Sequence, residues 1–152
     1  MPSELDIKKS LSAASEHCQH QKKRLTTQRS QILSLLLEND APSTAYQLLD
    51  QLRETYLPNA QPPNIYRALE FLLDAGLIHR LEANNTYIAC DHIQCSHAHL
   101  PTQFLLCERC GAATETTMKA EQIQAMQASA KQYGFKLSER SLELHGVCKK
   151  CL

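Results

Sequence analysis

Residues 62–90 read PPNIYRALEFLLDAGLIHRLEANNTYIAC, and two different periods meet in them. In the first half Ile65, Leu69 and Leu72 recur at helical spacing and define one apolar face. Pro62 and Pro63 suit a first helical turn, where a missing N–H goes unmissed, and Gly76 suits the residue just past a helix end. The spacing predicts a helix over 63–75, with Asn64, Tyr66 and Arg67 pointing away from its apolar face. After Gly76 the period shortens. Residues 77–82 and 86–90 read as strands around Ala83-Asn84-Asn85, a turn-forming cluster.

Upstream, residues 44–55 follow Ser43 and place Ala45, Leu48, Leu49 and Leu52 on one face, which predicts a second amphipathic helix. Residues 27–39 follow Thr26, a candidate N-cap, and predict another. Residues 4–20 are polar with scattered apolar positions and predict a fourth. Three helices followed by a β-hairpin make a winged-helix arrangement, whose third helix would read the DNA major groove.

Downstream, residues 91–101 (DHIQCSHAHLP) are polar and rich in His and Cys, and read as a hinge. A second unit follows: a strand at 103–107, a CxxC turn, a strand at 112–117 and a helix at 119–133 stopped by Gly134. Ile123, Met126, Ala130 and Tyr133 share a face of that helix. A last strand over 135–147 alternates Leu142 and Leu144 with Glu143 and His145. The expected class is α+β, with a winged helix at 1–91, a hinge at 92–101 and a small α/β unit at 102–152.

Composition constrains function less than order does. Sixteen basic side chains balance sixteen acidic ones. Residues 1–90 hold nine Lys/Arg and ten Asp/Glu, a net of −1, so DNA contact there must come from locally arranged charge. Lys22-Lys23-Arg24, with Arg29 nearby, is the basic cluster of that half. Asn, Tyr and Arg side chains of the kind found at Asn64, Tyr66 and Arg67 hydrogen-bond base edges or phosphates. No run approaches a membrane span and the N-terminus lacks the apolar core of a signal peptide, so a cytoplasmic protein is expected. There thiols stay reduced, and seven cysteines suggest metal rather than disulfides.

The chemistry concentrates in Cys107-Glu108-Arg109-Cys110 and Cys148-Lys149-Lys150-Cys151. Two CxxC knuckles offer four thiolates, the tetrahedral set that Zn²⁺ prefers, with no open position for catalysis. A redox CxxC would need a surrounding βαβ unit, which is missing. A looser set comprises His79, Cys90, Asp91, His92, Cys95, His97, His99 and Glu115. Its mixed donors suit zinc, and a solvated polar linker is the alternative. Cys18, His17 and His20 read as ordinary side chains of a polar helix, and His145 as a surface residue. No HExxH, and no HxE paired with PCxxC, points to a zinc enzyme. A zinc-stapled interaction module without DNA is the other class in play.

Leu25-Thr26-Thr27-Gln28-Arg29, Pro63-Asn64-Ile65-Tyr66-Arg67-Ala68-Leu69, Cys107-Glu108-Arg109-Cys110-Gly111 and His145-Gly146-Val147-Cys148-Lys149-Lys150-Cys151 together resemble the ferric uptake regulator family, in its order and over nearly the whole chain. Within it, the chain is most similar to the zinc uptake regulator branch. Iron-sensing members carry a His-rich stretch before the first CxxC, where this chain has Pro101-Thr102-Gln103-Phe104-Leu105-Leu106. The resemblance implies a homodimeric, zinc-responsive repressor on a pseudo-palindromic operator in double-stranded DNA, acting on zinc-uptake genes, with no small-molecule substrate and no membrane. It makes 102–152 a dimerisation domain. It implies two Zn²⁺ per chain: a structural ion on Cys107, Cys110, Cys148 and Cys151, and a regulatory ion on His79, Cys90, Glu115 and a second His. The hinge is one residue longer than the family pattern, so His97 and His99 are both within reach, and His99 is taken. DNA contact falls to Lys22, Arg24, Asn64, Tyr66 and Arg67. Asn64 and Thr27 depart from the commoner Thr and Pro. An iron- or peroxide-responsive regulator of the same family is the nearest alternative.

Overall fold

A computed structural model describes residues 2–94, 101–138 and 141–152. The chain divides into two compact units, Met1–Ser96 and His97–Leu152.

The first unit holds four helices and a hairpin. Helix α1 (Glu4–His20) opens with a reciprocal cap: Asp6 N–H donates to Ser3 Oγ and Ser3 N–H to the Asp6 carboxylate, both at 3.2 Å. Helix α2 (Thr27–Glu38) starts after Thr26, which occupies the N-cap position without a side-chain capping bond. Helix α3 (Ala45–Thr55) is capped by Thr44. Thr44 Oγ1 accepts from Gln47 N–H at 3.2 Å, and Gln47 Oε1 accepts from Thr44 N–H at 2.8 Å. Ser43 is drawn elsewhere: its backbone exchanges bonds of 2.8 and 3.0 Å with Tyr87 and adds an edge to the hairpin.

Helix α4 (Pro62–Asp74) ends at Gly76, whose φ of +72° is the left-handed turn glycine adopts without penalty. Strands β1 (Ile78–Leu81) and β2 (Thr86–Ala89) then pair antiparallel, His79 opposite Ile88. Ile32, Leu33, Leu48, Leu52, Ile65, Leu69 and Leu72 are buried in one core with Leu77 and Ile78. The inner faces expected of α3 and α4 are therefore the faces that pack. Cys18 is wholly buried in this core as well, so it is a packing residue and not merely a side chain on a polar helix. Burial pushes its thiol pKa up.

Among its described residues the second unit is a three-stranded sheet in the order β4-β3-β5 with one helix. Strand β3 (Thr102–Cys107) is central, antiparallel to β4 (Ala113–Thr117) and parallel to β5 (Leu142–Gly146). Parallel pairing requires a crossover, and α5 (Ala120–Gln132) lies between β4 and β5 in sequence. Phe104, Leu106 and Met118 are buried. Two expectations are corrected. The last strand begins at Leu142, not 135, and α5 ends at Gln132, with Tyr133 as its C-cap and 86% exposed.

Candidate metal and nucleic-acid sites

The parallel pairing of β3 with β5 sets Cys107 opposite Gly146, so each strand runs into a CxxC turn at the same end of the sheet. The first turn closes by Gly111 N–H to Cys107 O at 2.9 Å, with Gly111 at φ +74°. Glu108 N–H donates to Gly146 O at 2.9 Å and ties the first knuckle to the second. Cys151 N–H donates to Cys148 O at 2.8 Å, and the Arg109 guanidinium donates to Cys151 O.

All four sulfurs lie within 4.8 Å of one another, and Cys110 Sγ and Cys148 Sγ are 3.7 Å apart. A disulfide would require about 2.05 Å. A zinc tetrahedron with bonds of about 2.3 Å has edges of about 3.8 Å, so the donor set and its spacing fit Zn²⁺. Backbone N–H groups of Cys110, then Cys148 and Arg109, lower the Cys107 thiol to about 6. Sulfur neighbours, Cys148 first and then Cys110, push Cys151 up to about 12. One thiolate is thus prepared at neutral pH, while gathering further thiolates beside it demands a cation.

In the first unit His79 on β1 and Cys90 just past β2 present ligand atoms within 4.8 Å of each other. Cys90 N–H donates to Leu77 O at 3.0 Å, which holds the residue against the start of the hairpin, and His92 N–H donates to Cys90 Sγ at 3.4 Å. Cys90 is buried and His79 half-buried. In the second unit Glu115 is partly buried on β4, opposite Phe104. Cys95, His97 and His99 lie outside the described residues.

On α4 the side chain of Tyr66 is half exposed and that of Arg67 exposed. Asn64 is half-buried, and its Oδ1 accepts from Gln61 N–H at 2.7 Å. Bidentate reading of adenine uses both the oxygen and the amide nitrogen of an Asn, and here the oxygen already accepts one bond from the helix start. The basic cluster separates by direction. Lys22 and Arg24 are exposed. Lys23 and Arg29 turn inward: Lys23 Nζ meets the Asp74 carboxylate at 2.6 Å, and Arg29 stacks over Phe71 at 3.7 Å while donating to Arg24 O at 2.9 Å. Sequence reasoning passed over Tyr46, 70% exposed in the first turn of α3. Its signal is an aromatic residue two positions past a capping Thr, where apolar burial is not required.

The ferric uptake regulator family model matches residues 20–145, most of the chain. The chain belongs to the ferric uptake regulator family. Among the relatives of this family member, the zinc uptake regulation protein of Escherichia coli (strain K12) is 40% identical over 93% of this chain and 81% of its own length. The peroxide operon regulator of Bacillus subtilis (strain 168) is 30% identical over 84% of this chain and 83% of its own. A solved zinc uptake regulator in complex with zinc and DNA matches with a TM-score of 0.81 at 37% identity, covering 95% of this chain and 93% of that one. The holo XcZur crystal structure matches with a TM-score of 0.76 at 36% identity, covering 92% and 94%. The family is one of transcriptional regulators, not enzymes. No helix among the described residues is long and apolar enough to cross a membrane.

Proposed function

We propose that this family member is a cytoplasmic, zinc-responsive repressor that binds a pseudo-palindromic operator as a homodimer and silences zinc-uptake genes when zinc is plentiful. The observation that carries the reading is the donor chemistry at the hairpin: a histidine and a buried thiol brought within 4.8 Å of each other. Soft sulfur with imidazole favours zinc over the harder oxygen-rich sets, and the 40% identity to a zinc uptake regulation protein agrees.

In this reading Cys107, Cys110, Cys148 and Cys151 hold one structural Zn²⁺, and His79, Cys90, His99 and Glu115 hold a second, regulatory one. The ion supplies a bridge between the winged helix of 1–91 and the dimerisation domain of 102–152 across the hinge at 92–101. It shifts the equilibrium only as far as it binds the DNA-competent arrangement more tightly than the others. Arg67 and Tyr66 on α4 read base edges, with Asn64 donating beside them. Lys22 and Arg24, joined by Tyr46, hold phosphates. Dimerisation has a surface to use. Leu105 and Leu144 are register partners, each 43% exposed, and Phe135 is 67% exposed.

The test is a mobility shift on a duplex selected from random sequence with the zinc-loaded protein. Zinc should tighten binding and equimolar Fe²⁺ should not. Arg67→Ala should lose about tenfold or more on that duplex, the value of about 1–3 kcal/mol for one good base contact. A shift driven by Fe²⁺ and abolished by peroxide would favour the reading suggested by the Bacillus subtilis relative.

A further inference from the structure

The far end of α4 is held by side chains that no DNA or metal role accounts for. A helix leaves its last carbonyls without N–H partners and concentrates negative potential there. His17 in the last turn of α1 and Lys23 just after that helix reach these carbonyls. His17 Nε2 lies 2.9 Å from Ala75 O. The same nitrogen lies 3.0 Å from Gln21 Nε2, and in the tautomer protonated at Nε2 it donates to the Ala75 carbonyl. Lys23 Nζ donates to Asp74 O at 3.1 Å and to the Asp74 carboxylate at 2.6 Å. The partners are 58 and 51 residues apart in sequence, so this is a contact between elements and not a local turn.

The segment that delivers Lys23 also delivers the exposed cations. After α1, Lys23 N–H bonds Cys18 O at 2.8 Å and Lys22 N–H bonds Gln19 O at 3.0 Å, with Lys22 at φ +57°. This left-handed helix stop turns the chain so that Lys22 and Arg24 face solvent while Lys23 faces α4.

We infer that His17 and Lys23 are positioning residues for DNA reading: they fix the C-terminal end of α4 against the segment that carries Lys22 and Arg24, so that seating those cations on phosphates sets how α4 lies in the groove. This rests on the winged-helix reading above. Base-edge hydrogen bonds tolerate a few tenths of an ångström, so a tilt of α4 about its far end costs contacts made by Tyr66 and Arg67. The Lys23–Asp74 pair is partly solvated, with side-chain exposures of 29% and 74%, and such pairs add little to stability. Its effect belongs in orientation.

The test uses full-length, zinc-loaded protein, a duplex selected from random sequence for zinc-dependent binding, and a scrambled duplex of equal length. Lys23→Met should weaken the selected duplex about tenfold. Affinity for the scrambled duplex, the salt slope, zinc content and melting temperature should stay as in wild type. Lys23→Arg should restore most of the loss. Asp74→Ala is the sharper variant, because it removes a negative charge. Electrostatics alone would tighten both duplexes, whereas loss of the clamp weakens the selected one. The inference is overturned if Lys23→Met weakens both duplexes and lowers the salt slope by about one, the mark of a phosphate contact. Tighter binding of both duplexes by Asp74→Ala, or wild-type affinity in every variant, would also overturn it. Failure of the wild type to select any zinc-dependent duplex would instead sink the repressor reading and this inference with it.

Discussion

Lys22 occupies a backbone conformation that side chains resist, at φ +57°, in the position where helices commonly place glycine. Strain kept at a surface position points to a use for the side chain, and phosphate contact is the use proposed here. Two substitutions separate backbone from charge. Lys22→Gly and Lys22→Ala should weaken DNA binding equally and lower the salt slope by about one unit. Lys22→Gly should nonetheless be more stable than Lys22→Ala by about 1 kcal/mol, because only Ala retains the penalty of the left-handed turn. Thermal unfolding and salt-dependent binding measured on both proteins check this, and equal stabilities would remove the strain argument. Cys18 teaches the opposite lesson. On a polar helix it reads as incidental, yet it is fully buried, because the side of α1 that packs is small (Ser10, Ala14, Cys18) and carries little hydropathy signal.

The elements of the first unit were legible wherever spacing alone decides. The helices α3 and α4 bury the leucines and isoleucine that recur every three or four positions, and Gly76 ends α4 as its chemistry demands. What spacing misses is non-local. Thr44 caps α3 while Tyr87 claims the backbone of its neighbour Ser43, a pairing that only the folded hairpin creates. The stretch before Leu142 reads as strand in sequence, yet among the described residues Leu142–Gly146 is the part that pairs with β3. The clamp of His17 and Lys23 on α4 and the Asn64 cap were equally invisible, since each needs the partner's position in space. Thr44→Ala tests how far α3 depends on its cap. It should cost about 1 kcal/mol of stability, read by denaturant unfolding, while zinc content stays unchanged. A loss indistinguishable from zero would mean that packing of Leu48, Leu49 and Leu52 fixes α3 unaided.

At the scale of the whole molecule the two kinds of metal ligand should separate. The four knuckle cysteines were legible because CxxC spacing is itself geometry, and the structure gathers them. The second set was legible only as a list of donors, since mixed ligands far apart in sequence carry no spacing rule. The second unit has a small core of Phe104, Leu106, Cys107 and Met118, and closed zinc sites supply on the order of 10–16 kcal/mol in small folded peptides. Cys107→Ser should therefore cost the fold of that unit and, with it, the homodimer proposed above, seen as loss of cooperative melting and a monomeric mass in solution. A folded dimer with wild-type melting would show that the knuckles do not hold a structural ion.

The regulatory claim meets its most direct test in Cys90→Ser, assayed for zinc stoichiometry, dimer state and affinity for the selected duplex in one preparation. Cys90 lies just past the hairpin and belongs to neither knuckle, so its loss should spare both cores. The expected protein is a folded dimer that keeps the zinc held by its four knuckle cysteines, binds one zinc fewer per chain than wild type, and no longer tightens on the duplex when zinc is added. By linkage, the duplex should raise zinc affinity in wild type and leave it unchanged in the variant. A Cys90→Ser protein that still binds the duplex in a zinc-dependent way, with wild-type stoichiometry, would contradict the account.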